Sequence, residues 1–237
     1  MVATLELSRR PMSRSATVAA ARQSKKESVN LEEILRQRIS EGEISPGTKL
    51  RETALAGEFG VNRARVRQAL GALEQRGLIE RTPNQGAVVS SLDAAKLFQI
   101  YDIFELLEGL CARLATQNAE PESWDDLVEL FDKPLGEAVA SGNYETLFNG
   151  IETYRCRVIE VANNPMLADF LAGIYDKTQV IIRRTLILPG RAEQSLREHR
   201  AIISAMRAGD PYEAERLKRE NMRTARMFLE KYQKFVL

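Results

Sequence analysis

A chain of 237 residues, 44% hydrophobic and 28% charged, has the size and balance of a soluble protein of one or two domains, with no run near the roughly 20 apolar residues of a membrane span. The basic N-terminus lacks the apolar stretch of a secretory signal, and one histidine with two cysteines excludes multi-histidine zinc sites and a disulfide scaffold, so a cytoplasmic protein is expected. The net charge of +1 hides an asymmetry: residues 1–91 carry 15 Lys/Arg against 10 Asp/Glu and the remainder 19 against 23, so the first part suits a polyanionic partner.

Residues 1–27 place Arg9, Arg10, Arg14, Lys25 and Lys26 among small residues without apolar periodicity, which predicts a mobile basic tail. From residue 28 to 92 the pattern becomes that of a compact unit. Leu31, Ile34, Leu35 and Ile39 repeat at helical spacing up to Gly42 and the Pro46-Gly47 turn. A second helix is expected over Thr53–Phe59, stopped by Gly60. A third is capped by Asn62, faces Val66, Ala69, Leu70 and Leu73 inward, and ends at Gly77. Two short strands, Leu78–Arg81 and Ala87–Val89, flank a turn at Pro83-Asn84-Gln85-Gly86. Three helices and a hairpin in about 60 residues make a winged helix-turn-helix.

Residues 93–237 read as helix throughout, with prolines as punctuation. Glu120-Pro121, Asn164-Pro165 and Asp210-Pro211 each put a capping residue before a proline at the first helical position. Pro189-Gly190 marks a joint, and Pro134 is expected to break or kink its segment. Leu97, Ile100, Tyr101, Phe104, Leu107, Cys111 and Leu114 form an apolar stripe. The fold expected is therefore mostly α: the winged domain plus an antiparallel bundle of six or seven helices, with no strand after Val89.

The densest chemistry lies at the third helix. A recognition helix offers its N-terminal residues to base edges while its other face is buried. Arg63 and Arg67, four apart, share the exposed face, with Arg65 to one side. Arginine recognises guanine or phosphate in a bidentate manner. Three arginines in five residues at the helix N-terminus oppose the helix dipole, a cost that nearby phosphates would offset.

Pro46-Gly47, Leu50-Arg51-Glu52, Leu55-Ala56, Gly60-Val61, Arg63, Val66-Arg67, Ala69-Leu70, Leu73-Glu74, Gly77-Leu78 and Gly86 resemble, over about 60 residues, the winged-helix domain of GntR-family bacterial transcription regulators. The departure is Asn62-Arg63-Ala64-Arg65, where the family commonly has Ser-Arg-Thr-Pro. The resemblance implies DNA contacts at Thr53, Asn62, Arg63, Arg65, Arg67 and the wing residues Gln85 and Gly86. Leu106-Leu107-Glu108, Ala162-Asn163-Asn164-Pro165, Glu198-His199, Ile202, Ala205-Met206 and Gly209-Asp210 resemble the FCD effector domain of the FadR subgroup.

That second resemblance implies a metal site of one aspartate and three histidines, but Ile151, Arg155 and Asn221 stand at three of those positions and only His199 survives. An arginine is no ligand, so neither metal nor cofactor is expected. Arg155, His199 and Asn221 nevertheless fall on the inward stripes of three helices, and buried polar groups need partners. They form either a closed internal network or a pocket in which Arg155 meets a small anionic effector, with Phe104 and Ile151 as apolar lining. The expected partners are an inverted-repeat DNA operator, a second copy of the chain and that effector, with repression as the family habit. The competing readings are a constitutive winged-helix dimer without effector and an enzyme using His199 or a cysteine. Cys111 and Cys156 read as packing residues.

Overall fold

The computed structural model describes residues 30–82 and 86–236, so the segment 1–27 and Gln85 lie outside the described residues. Helix α1 (Leu31–Ser40) starts where the Asn30 side chain accepts from the Glu33 N–H, and it buries Leu31, Leu35 and Ile39. After strand β1 (Lys49–Leu50) comes helix α2 (Glu52–Phe59), which Gly60 ends in the left-handed region at φ +62°. Helix α3 (Arg63–Gln75) buries Val66, Ala69, Leu70 and Leu73 as one stripe. Strands β2 (Ile79–Thr82) and β3 (Gly86–Val89) form the expected hairpin, with Ile79 opposite Val89. Strand β1 adds to the free edge of β3, Leu50 opposite Ala87, for a sheet order β1-β3-β2. The sequence reading lacks this strand because two residues carry no periodicity.

The remainder is a helical bundle: α4 (Ala94–Asn118), α5 (Asp125–Ala140), α6 (Tyr144–Ala162), α7 (Pro165–Leu186), α8 (Arg191–Arg207), α9 (Pro211–Lys231) and the single turn α10 (Gln233–Val236). Asn164 and Asp210 cap α7 and α9 by accepting from the Leu167 and Glu213 N–H groups, each with proline at the next position. Glu120 departs from that pattern: its side chain caps nothing, and Pro121 opens only a 3-10 turn, Pro121–Trp124. Pro134 breaks no helix either, because α5 runs through it. The guanidinium of Arg200 crosses from α8 and donates to the carbonyls of Phe131 (2.8 Å) and Asp132, supporting the turn that proline weakens.

Each part has its own core, one around Leu35, Val66, Leu70 and Leu73, the other around Leu97, Phe104, Trp124, Phe131 and Tyr154. They meet where α1 packs on α7. There Arg36 from α1 and Arg76 from the end of α3 (3.3 Å) both pair with Asp176 of α7, a carboxylate only 5% exposed.

Candidate nucleic-acid interface and ligand cavity

The Asn62 side chain accepts from the Arg65 N–H at 2.9 Å and so sets where α3 begins. That start fixes the phase of the helix. With Val66 and Ala69 inward, Arg63 and Arg67 project outward, 61% and 52% exposed at the side chain. Arg65 is half-buried and Thr53 is exposed at the start of α2. Thr53, Arg63 and Gly86 line one surface depression together with Arg51 and Arg81, so the two helix starts and the wing share a face. Gly86 sits at φ +77° with no atom within 4 Å of where a Cβ would be, leaving its backbone open to close approach. Glu52, absent from the sequence-derived set, is the common partner of Arg63 (3.4 Å) and Arg67 (3.2 Å). Exposed pairs of this kind are worth roughly 0–1 kcal/mol, so phosphate can replace the carboxylate at small cost.

The bundle encloses the second site. Phe104, Ile151, Arg155, His199 and Asn221, from four helices, line one cavity of about 70 Å³ that is partly open to solvent. The five positions drawn from the stripes thus come together. Around them stand charges that the sequence reading missed. Lys218 pairs with Glu108 at 2.8 Å, and both are buried. Tyr175 donates its hydroxyl to the same Glu108. Arg191 pairs with Glu198 at 2.9 Å, and the Asn221 amide donates to that carboxylate at 2.6 Å. Glu108 lies four residues after Phe104, and Lys218 three before Asn221, so both fall on inward stripes. A charged residue on an apolar stripe was the available signal.

Arg155 does not present a naked charge. Glu152, one turn earlier, pairs with it, and its guanidinium lies 3.7 Å from the Tyr175 ring centre. Burial raises the Glu152 carboxyl above its ordinary value, against the opposing pull of Arg155. His199 stacks on Phe131 at 5.5 Å and meets the edge of Tyr154 at 5.3 Å. Its Nδ1 lies 2.8 Å from the Ser195 carbonyl, which can only accept, so Nδ1 carries the proton and Nε2 is a bare acceptor. Burial, followed by the Lys218 cation, pushes the imidazole down to about 3, so it stays neutral. This donor set does not suit a divalent cation. Arg155 occupies one family ligand position, the Asn221 amide is engaged by Glu198 and Lys218, and one imidazole nitrogen remains. Of the cysteines, Cys111 is buried, which pushes its thiol up to about 12, and Cys156 is exposed.

A recognition helix with outward arginines beside a wing, joined to a helical domain around a cavity, defines a two-domain DNA-binding regulator. Residues 27–89 match the bacterial regulatory proteins of the gntR family and residues 99–224 match the FCD domain. The chain belongs to the GntR family of bacterial transcription regulators, with an FCD effector domain. It is 30% identical over 179 residues to the HTH-type transcriptional regulator YdhC of Bacillus subtilis, covering 73% of this chain and 77% of that relative. It is 43% identical over 112 residues to the gluconate operon transcriptional repressor of the same organism, covering 47% and 44%. The solved structure of Escherichia coli McbR/YncC shares the fold, with a TM-score of 0.71 at 23% identity over 86% of this chain and 97% of that one. Among the described residues no helix is long and apolar enough to cross a membrane.

Proposed function

We propose that the protein binds an inverted-repeat operator as a homodimer, represses transcription from it, and is released by a small molecule held in the bundle cavity. The observation that carries this reading is the shared face of Thr53, Arg63 and Gly86, with Arg67 beside Arg63 on Glu52, in a domain tied through Arg36 and Arg76 to Asp176 on a cavity-wall helix. One recognition helix reads only a few base pairs, and a two-fold pair doubles the site. Repression is supported by the name of the gluconate operon relative. The constitutive alternative has less support, because the cavity leaves hydrogen-bonding atoms of Arg155 and His199 unmatched. The direct test is footprinting on the DNA flanking the gene, with light scattering of the free protein. A protected site of dyad symmetry and a dimer at micromolar concentration are expected. An asymmetric footprint or a monomer refutes the homodimer.

A further inference from the structure

The three acid–base pairs of the cavity are balanced. Arg155 with Glu152, Lys218 with Glu108 and Arg191 with Glu198 set three cations against three anions, and His199 is neutral. Two side-chain polar atoms of the lining residues are buried without a hydrogen-bond partner: Nη1 of Arg155 and Nε2 of His199. The first can only donate and the second, its ring proton being on Nδ1, can only accept. His199 is 3% exposed, and its stacking on Phe131 holds the ring in place.

We propose that the cavity selects an uncharged molecule: a compact apolar frame carrying an O–H or N–H donor for His199 Nε2 and a hydrogen-bond acceptor for Arg155 Nη1. This rests on the effector reading above and gives the effector its chemistry. An anion would leave the cavity with one uncompensated negative charge, and unpaired buried charge is strongly disfavoured. A carboxylate facing Nε2 also has no proton to offer it. The apolar frame is set by Phe104, Ile151, Ile182 and Met222.

The test is calorimetry and ligand-observed magnetic resonance on the full chain, with a panel of matched triplets. Each triplet pairs hydroxyl with carboxamide, hydroxyl with carboxylate, or methyl with carboxamide on one frame; para-hydroxybenzamide, para-hydroxybenzoate and para-methylbenzamide form one set. The hydroxy-carboxamide members are expected to bind best, by about tenfold or more over their partners. Glu152→Gln keeps the volume and frees the Arg155 charge, and is expected to turn the preference to the carboxylate. His199→Phe is expected to abolish the preference for hydroxyl over methyl. Tighter binding of carboxylates to the wild type overturns this inference and leaves the effector reading standing. Binding of no panel member at millimolar concentration removes the effector reading, and this inference with it.

Discussion

Arg63 and Arg67 owe their exposure to the phase of α3, which the Asn62 cap and the Val66–Leu73 stripe set together. Neither arginine supports the core, so Arg63→Ala and Arg67→Ala are expected to keep the wild-type melting temperature. Each is expected to weaken operator binding by about 1–3 kcal/mol if it reads a base. Arg65→Ala is expected instead to weaken binding to all sequences and flatten the salt dependence. Wild-type operator affinity in both alanine variants at fixed salt would remove the interface assigned here. At the other site His199 makes a pH prediction. Lys218 and Arg191 are the cations that oppose its protonation, with the Tyr154 ring edge-on and the Ser195 carbonyl on Nδ1. The unfolded chain takes a proton near 6.5, whereas the fold resists one down to about 3. Between those values folding expels a proton, so stability is full above 6.5 and falls as pH drops. His199→Phe removes that loss, and its acid-side stability curve is expected to be shallower by up to about 1.4 kcal/mol per pH unit. Parallel wild-type and variant curves from pH 6.5 to about 5 would show that the imidazole is not held neutral.

At the scale of elements, the sequence is legible where a local rule suffices. Caps at Asn62, Asn164 and Asp210 and the stop at Gly60 are set by residues within one turn of the helix end. The apolar stripes of the three helices that carry them also placed the inward faces, which is why Arg155, His199 and Asn221 could be assigned to one interior. What depends on a distant partner was not legible. Strand β1 exists only because β3 offers it an edge, and the Lys218–Glu108 pair joins residues on different helices. Pro134 belongs to the same class. Its rule predicts a break or kink, yet α5 continues through it, and Arg200 of α8 reaches two carbonyls of the turn before it. The absence of a side chain at Gly136 leaves room for that guanidinium, since a Cβ there would lie 2.9 Å from Arg200 Nη2. Arg200→Met is therefore expected to destabilise the wild type by about 1 kcal/mol. In a Pro134→Ala background, where the turn needs no support, the same change is expected to cost little. Denaturant midpoints for the four proteins of this double-mutant cycle measure the coupling, and strict additivity would refute it.

At the scale of the whole molecule, the question is how a cavity in the bundle addresses a DNA-binding face on the other domain. Tyr175 and Asp176 are consecutive on α7, roughly 100° apart around the helix, and meet different neighbours. Tyr175 donates to Glu108 and stacks with Arg155 inside the cavity, while Asp176 pairs with Arg36 and Arg76 of the winged domain. A shift of α7 at the cavity thus alters the grip on the DNA-binding domain, and a ligand with different affinity for the two arrangements biases that grip. Arg36 also pairs with Glu33, and Arg76 with Glu32, so both arginines keep partners inside their own domain when Asp176 is lost. Asp176→Ala should therefore leave the winged domain's own core, around Leu35, Val66 and Leu70, intact. The expected outcome is one coupled calorimetric transition in the wild type and two in the variant, with the smaller domain melting first. Operator binding without ligand persists, because Arg63 and Arg67 lie on another face. Ligand-induced release weakens, because the cavity no longer holds the winged domain by its carboxylate. A variant that melts in a single transition and releases DNA at wild-type ligand concentrations would show that the two domains communicate by another route.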